Sequence, residues 1–407
     1  MSAVNNQRIW STGFTIIFVI NVIINFAQYM MITLVPKFAE SLGASAVVIG
    51  VVTGTFAITA LAVRPLVGPA TLRLRSQWLL AGTLLILMAA FILYSSANSV
   101  TGLFVARLLH GTGMGFLAPV TLSLASQALP AERMAQGIGV FSLGQAVATA
   151  VGPSTGLWLL DVIGYRGTFL ASGGLIAIAF LMTWALSPAP PPARTDGTSF
   201  SWRSVIAPEA VVPAIVIFFL AGAYSGINAF IVLLGESVGV ADIGTFFTAY
   251  ALTIVISRPL AGRISDRHGL AVVIVPGMAV FGLAFVVVSQ AHSLAMFLVA
   301  GVLSALGYGI CQPAVQTWCL ISVEPARRGI ASNTNYIGVD LAYLVMPVVA
   351  GSIVSQLRDA GASAVSSYQI MYLSLIVPVA IGMVVFLAYG RRSLSHQTNN
   401  PNDRSSS

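Results

Sequence analysis

Residues 258–269 read Arg258-Pro259-Leu260-Ala261-Gly262-Arg263-Ile264-Ser265-Asp266-Arg267-His268-Gly269. Three arginines, one aspartate and three turn-formers (Pro259, Gly262, Gly269) share these twelve positions. Apolar runs long enough to cross a bilayer lie on both sides. A helix ending here leaves carbonyls unpaired, and cations near a helix C-terminus interact favourably with them. The Asp266 carboxylate suits bidentate hydrogen bonding from a neighbouring guanidinium. The small residues let two helices approach closely.

The stretch has a copy 194 residues upstream. Arg64-Pro65-Leu66 and Gly68 align with Arg258-Pro259-Leu260 and Gly262, and Arg73 falls on Arg267. The offset then holds without a gap: Gly113, Gly115 and Pro119 map to Gly307, Gly309 and Pro313, while Gly144 and Pro153 map to Gly338 and Pro347. One offset through three separated blocks reads as two copies of one membrane unit, the parallel-repeat layout of many transporters.

Bulk composition agrees. Of 407 residues, 57% are hydrophobic and 8% charged, with a mean hydropathy of +0.91. Soluble domains carry about 25% charged residues, so lipid is the main solvent here. The net charge of +7 sits in short loops on one side, which argues against nucleic acid as a partner. Cys311 and Cys319 fall eight apart on one predicted helix, about 12 Å between Cα atoms, too far for a disulfide with each other. The run from Phe14 to Val35 is too long for a signal-peptide core and lacks a small-residue cleavage site, so it is expected to stay as a helix.

A span needs about 20 apolar residues. The pattern predicts helices near 13–35, 46–66, 78–97, 100–124, 134–160 and 166–186, then 211–234, 241–261, 271–290, 294–320, 329–355 and 369–390. The expected fold is therefore an all-α membrane protein with twelve transmembrane helices in two six-helix pseudo-repeats, 1–186 and 211–392. A proline-stiffened linker over 187–210 joins them, and the polar tail 393–407 is expected to be disordered. With the N-terminus inside, the cytoplasmic side holds Arg8, Arg64, Arg73, Arg75, Arg133, Arg194, Arg203, Arg258, Arg263, Arg267, Arg327, Arg328, Arg391, Arg392 and Arg404. The outer side holds Lys37, Arg166 and Arg358. This bias places both termini in the cytoplasm.

Twelve spans, the six-plus-six repeat and Arg258–Gly269 resemble the major facilitator superfamily, whose loop motif has the form G-x-x-x-D-R-x-G. The resemblance assigns gating or motif roles to Gly68, Arg73, Arg258, Gly262, Asp266, Arg267 and Gly269. The first copy departs from the pattern: Leu72 stands where the family has aspartate, and the following glycine is missing. Span four carries Ala106-Arg107-Leu108-Leu109-His110-Gly111-Thr112-Gly113, similar to the family's R-x-x-x-G-x-G motif, in which the arginine is associated with proton coupling. Gly152-Pro153-Ser154-Thr155-Gly156 in span five resembles the G-P-x-x-G motif of exporters and drug:proton antiporters. Should spans five and eight meet, this stretch would seal or flex the cavity. The major facilitator fold implies alternating access of a small-molecule substrate in a bacterial inner membrane.

Charge inside a span is expensive and usually functional. The candidates are Arg107, His110 one turn further on the same face, and Asp340, eleven residues beyond Gly329 and so near the bilayer midplane. Asp340 reads either as a proton-coupling acid or as a structural acid bonded to tyrosine or asparagine. Arg107 reads either as a holder of substrate or relay water or as a partner for backbone carbonyls. His110 reads as a relay or as a packed, hydrogen-bonded side chain.

Neutral polar groups complete the candidate binding set: Asn21, Asn25, Gln28 and Tyr29 in span one; Tyr224 and Asn228 in span seven; Gln312 and Gln316 in span ten; Asn333, Tyr336 and Tyr343 beside Asp340 in span eleven. Their alternative is interhelical hydrogen bonding at about 0.6 kcal/mol per contact. No phosphate loop, zinc helix or nucleophile–histidine–acid set is present, so an enzyme is not expected, nor a cofactor or metal. The expected function is a proton-coupled exporter, acting as a monomer on a small organic molecule. The alternative is a proton-coupled importer of a sugar or metabolite.

Overall fold

A computed structural model describes residues 10–130, 134–186, 206–324 and 327–390. The side chains at 68–69, 71–73, 134–136, 139, 142–143, 146, 266 and 329 fall outside the described set. The described residues are helical, with no strand among them.

In chain order the helices are α1 Thr12–Ser41, α2 Ala46–Arg73, α3 Ser76–Ser96, α4 Val100–Gln127, α5 Met134–Met182, α6 Val211–Ser237 and α7 Thr245–His268. They continue with α8 Ala271–Ser289, α9 Leu294–Ser304, α10 Ile310–Ile321, α11 Arg328–Asp359, α12 Ala364–Ser374 and α13 Ile376–Val385. Ten stretches of the described residues are long and apolar enough to cross a membrane. One of them, Val147–Ala185, contains a sharp break and supplies two of the expected spans. α7 is absent from the ten because Arg258, Arg263, Asp266 and Arg267 dilute its second half. It is the remaining expected span. The fold is that of an all-α multi-pass membrane protein.

Spans five and six are the two arms of α5, which meet at Gly164 between the expected ends at 160 and 166; its φ of 69° and ψ of 177° are reached most readily without a Cβ. Two other elements differ from the sequence expectation. Span ten is two helices, α9 and α10, joined through a π-turn at Ala305–Gly309. Span twelve is likewise α12 and α13, followed by a second π-turn at Phe386–Gly390. Pro313, four residues beyond Gly309, has no N–H to return to that carbonyl, which favours the irregular turn before it.

Contacts divide the chain into two units: Met1–Ala44 with Thr55–Thr198, and Ser45–Gly54 with Ser199–Ser407. The first turns of α2, Ser45–Gly54, group with the second unit. There the Val47 N–H donates to Ser355 Oγ at 3.3 Å, and a Cβ on Gly50 would overlap the Pro347 carbonyl. The end of the expected linker is also built into the second unit. Ala207 and Ala210 are buried against Cys319, Val323 and Ala331, and Glu209 pairs with Arg327 at 2.7 Å. The rest of the linker, 187–205, and the tail, 393–407, lie outside the described residues. Both cysteines are buried free thiols.

Candidate functional site: polar and ionisable groups inside the spans

In the first unit the site is built on α4. Ser99 caps this helix, its Oγ accepting from the Gly102 N–H at 3.2 Å. Gly111 is where α4 meets α2 most closely: a Cβ there would overlap the Phe56 carbonyl and Thr59 Oγ1. Thr59 Oγ1 uses that proximity to donate to the Leu108 carbonyl at 2.6 Å. The approach brings the Phe56 ring under Arg107, with Cζ 4.6 Å from the ring centroid. Such a contact gains as water is removed. Arg107 is 5% exposed and His110 1% exposed, so charge and imidazole are both inside the unit.

His110 Nδ1 and Tyr94 Oη lie 3.0 Å apart, joining α4 to α3. The Tyr94 ring stacks on Phe169 at 5.2 Å, and Phe91 lies 5.6 Å from the imidazole. Arg107 is near enough to act electrostatically on both Tyr94 and His110. The cluster is therefore Arg107, His110, Tyr94 and Phe56. Sequence reasoning supplied the first two and missed the others. Tyr94 offered one weak signal, a lone tyrosine in an apolar run, and Phe56 offered none.

The span-one set is largely engaged within the first unit. Asn21 Nδ2 donates to the Phe141 carbonyl of α5 at 3.2 Å. Asn25 Nδ2 donates to the Asn21 carbonyl at 2.8 Å and to its Oδ1 at 2.9 Å. Tyr29 Oη accepts from Gln145 Nε2 at 3.0 Å. Gln28 Oε1 is buried with no hydrogen-bond partner among the described residues. Gly152 and Gly156 face α1: a Cβ on Gly152 would lie 2.8 Å from Tyr29 Cβ, and one on Gly156 would lie 3.2 Å from Met30 Cβ. The Pro153 carbonyl accepts from Thr33 Oγ1 at 3.4 Å.

In the second unit Arg258 reaches from α7 to the turn before α10. Its Nε donates to the Gly309 carbonyl at 3.0 Å and its Nη2 to Gln312 Oε1 at 3.2 Å. The guanidinium thus serves the carbonyl deprived by Pro313 instead of the end of its own helix. That end is closed by Gly269, with φ 87° and its N–H donating to the Ser265 carbonyl at 2.8 Å. Gly262 faces open space and Arg267 is exposed, while Gly68 and the side chains of Arg73 and Asp266 lie outside the described set.

Tyr224 stacks against Tyr308 at 4.3 Å and Tyr250 at 5.2 Å, so three tyrosines from α6, α7 and the π-turn form one group. Asn228 Nδ2 donates to Tyr343 Oη at 2.9 Å, leaving its buried Oδ1 without a partner among the described residues. Asp340 is 8% exposed on α11, and Asn333, Tyr336 and Tyr343 are half-buried on the same helix. Gln316 is half-buried on α10. Among the described residues no group of three or more histidine, cysteine, aspartate or glutamate side chains could hold a metal.

Known proteins fit this architecture. The Major Facilitator Superfamily model matches residues 17–239 and again 213–406. The chain belongs to the Major Facilitator Superfamily. The double match follows the repeat at Arg64 and Arg258. An uncharacterized MFS-type transporter of Bacillus subtilis, YtbD, is 22% identical over 76% of this chain and 80% of its own length. The staphylopine export protein of Staphylococcus aureus is 26% identical over 57% of this chain and 60% of its own. Among solved structures, a bacterial homolog of the human lysosomal transporter Spinster, inward-facing and unoccupied, has a TM-score of 0.81 at 15% identity. It covers 98% of this chain and all of that one. Membership makes the chain a transporter of small molecules and not an enzyme.

Proposed function

We propose that this chain is a proton-coupled exporter of a small organic molecule, working by alternating access as a monomer in a bacterial inner membrane with both termini cytoplasmic. The observation that carries the coupling is ionisable charge kept inside the spans: Asp340 in the second unit, and Arg107 beside His110 in the first. Burying such groups is costly in any membrane protein, and proteins that carry them use them on ion or substrate pathways. Export is supported by Gly152-Pro153-Ser154-Thr155-Gly156 and by relatives that include an export protein and a quinolone resistance protein of Staphylococcus aureus. Within each unit a buried amide acceptor has no partner among the described residues, Gln28 Oε1 in the first and Asn228 Oδ1 in the second, and either could be satisfied by a donor that the described residues do not supply.

The test is flux into inverted vesicles under an imposed pH gradient, with drugs, sugars and organic acids as candidate substrates. The exporter reading expects uptake into the vesicles to accelerate when the lumen is acidic. Asp340→Asn should abolish that acceleration while leaving counterflow exchange. Proton-driven flux unchanged in Asp340→Asn would discard Asp340 as the coupling group, and uptake driven only by the opposite gradient would replace export with import.

A further inference from the structure

The first unit contains a cavity of about 300 Å³ that the transport reading does not use, lined by Phe38, Tyr94, Ser95, Ser96, Asn98 and Arg166 together with Ala97 and Tyr165. Three elements form it: α1, the end of α3 with the turn leading into α4, and the second arm of α5. The break at Gly164 presents Tyr165 and Arg166 to it. Its walls are aromatic, with the Phe38 and Tyr165 rings 4.7 Å apart and Phe169 packed behind Phe38 at 5.3 Å.

The polar groups at its mouth divide into engaged and unengaged. Ser95 and Ser96 hydroxyls donate to the Ile92 and Leu93 carbonyls at 2.7 and 3.1 Å, covering the negative end of α3. Among the described residues, no hydrogen bond or ion pair engages Arg166 or Asn98, and no acidic side chain lines the cavity. Lys37 and Glu40, which flank Phe38 on α1, have partners of their own.

We propose that this cavity is a binding site for a small planar carboxylate, its ring against Phe38 and Tyr165 and its anionic group on Arg166 and Asn98. Small-molecule pockets run from about 300 Å³ upward, so the volume admits a ring of benzoate size and little more. The guanidinium fork matches a carboxylate in geometry as well as charge, and a neutral amide or an amine lacks that match. The site lies wholly within one unit and does not depend on the transport direction or the coupling group. Tyr94, the partner of His110, is among the residues that line it.

The probe is benzoate, titrated against the purified full chain by saturation-transfer NMR, with benzamide and benzylamine as comparators. Benzoate is expected to saturate with a Kd in roughly the millimolar range, as befits one exposed ion pair and a small apolar contact. Arg166→Gln and Phe38→Ala are each expected to weaken it about tenfold, and raising salt should weaken wild-type binding further. Arg166→Gln lies at an exposed position, and an unchanged melting temperature separates lost binding from lost fold. Equal benzoate affinity in Arg166→Gln, equal affinity for benzamide, or no saturation at all would each overturn the proposal.

Discussion

Replacing Arg258 with methionine keeps most of the side-chain stem and removes two hydrogen bonds, Nε to the Gly309 carbonyl at 3.0 Å and Nη2 to Gln312 at 3.2 Å. The second is exposed and contributes little. The first is partly buried and charge-assisted, a class worth about 1.5–3 kcal/mol in soluble proteins, whereas polar contacts in membrane proteins average about 0.6 and reach about 1.7. A loss of about 1–2 kcal/mol is therefore expected for Arg258→Met. The carbonyl needs Arg258 because Pro313 supplies no N–H. Pro313→Ala restores that donor, so the double variant should lose less than the single one, with a coupling of about 1 kcal/mol.

The assay is reversible unfolding in mixed micelles for wild type, both single variants and the double variant. Strict additivity would refute the reasoning, because Arg258 would then stabilise the unit by some route other than the orphaned carbonyl.

Gly164→Ala places a Cβ at φ 69° and ψ 177°, a glycine-only conformation, but in open space, so its cost is backbone strain alone, about 1–3 kcal/mol in unfolding measurements. Gly111→Leu meets the Phe56 backbone instead and should cost about 3 kcal/mol or more, with loss of folded protein in size-exclusion chromatography. Gly152→Leu should push α1 from α5 and block or leak transport; wild-type flux in that variant would remove the stretch from the gating machinery. Tyr94→Phe leaves His110 Nδ1 without its phenol and should lower the melting temperature by an amount equivalent to about 1 kcal/mol; an unchanged melting temperature would show that the 3.0 Å contact contributes nothing to the fold.

Much of the architecture was legible in the chain because lipid leaves few options. A backbone crossing hydrocarbon must bond within itself, so each apolar run reads as a helix. The span expected to end at 261 continues through the arginine-rich stretch to His268, and of the three turn-formers there only Gly269 ends the helix. Interruptions inside a span were harder to place. The π-turn at Ala305–Gly309 follows from a proline that elsewhere in this chain, as at Pro36, sits inside an ordinary helix. Side-chain partners were least legible. Phe56 lies under Arg107 because α2 and α4 touch at Gly111, and that crossing is set by tertiary packing, not by the residues around Phe56.

The same geometry separates two kinds of polar residue that the sequence presented together. Asn21, Asn25 and Tyr29 are engaged within the first unit, and Asn228 holds Tyr343 in the second. Gln312 is held by Arg258, a motif residue, so its oxygen completes a support instead of standing ready for a ligand. Such contacts fix the packing of helices that gain nothing from mutual hydrophobic burial in lipid. Set apart from them are the ionisable groups inside the spans, Asp340, Arg107 and His110, and the buried acceptors Gln28 Oε1 and Asn228 Oδ1, which have no hydrogen-bond partner among the described residues. Substitution across all the polar positions should accordingly split by phenotype. Asparagine and tyrosine changes on α1 should act through folded yield and melting temperature, whereas changes at Asp340 and Arg107 should act on the pH dependence of flux in protein that folds normally. Changes on α1 that alter coupling in a stably folded protein would place the proton or substrate path on that helix instead.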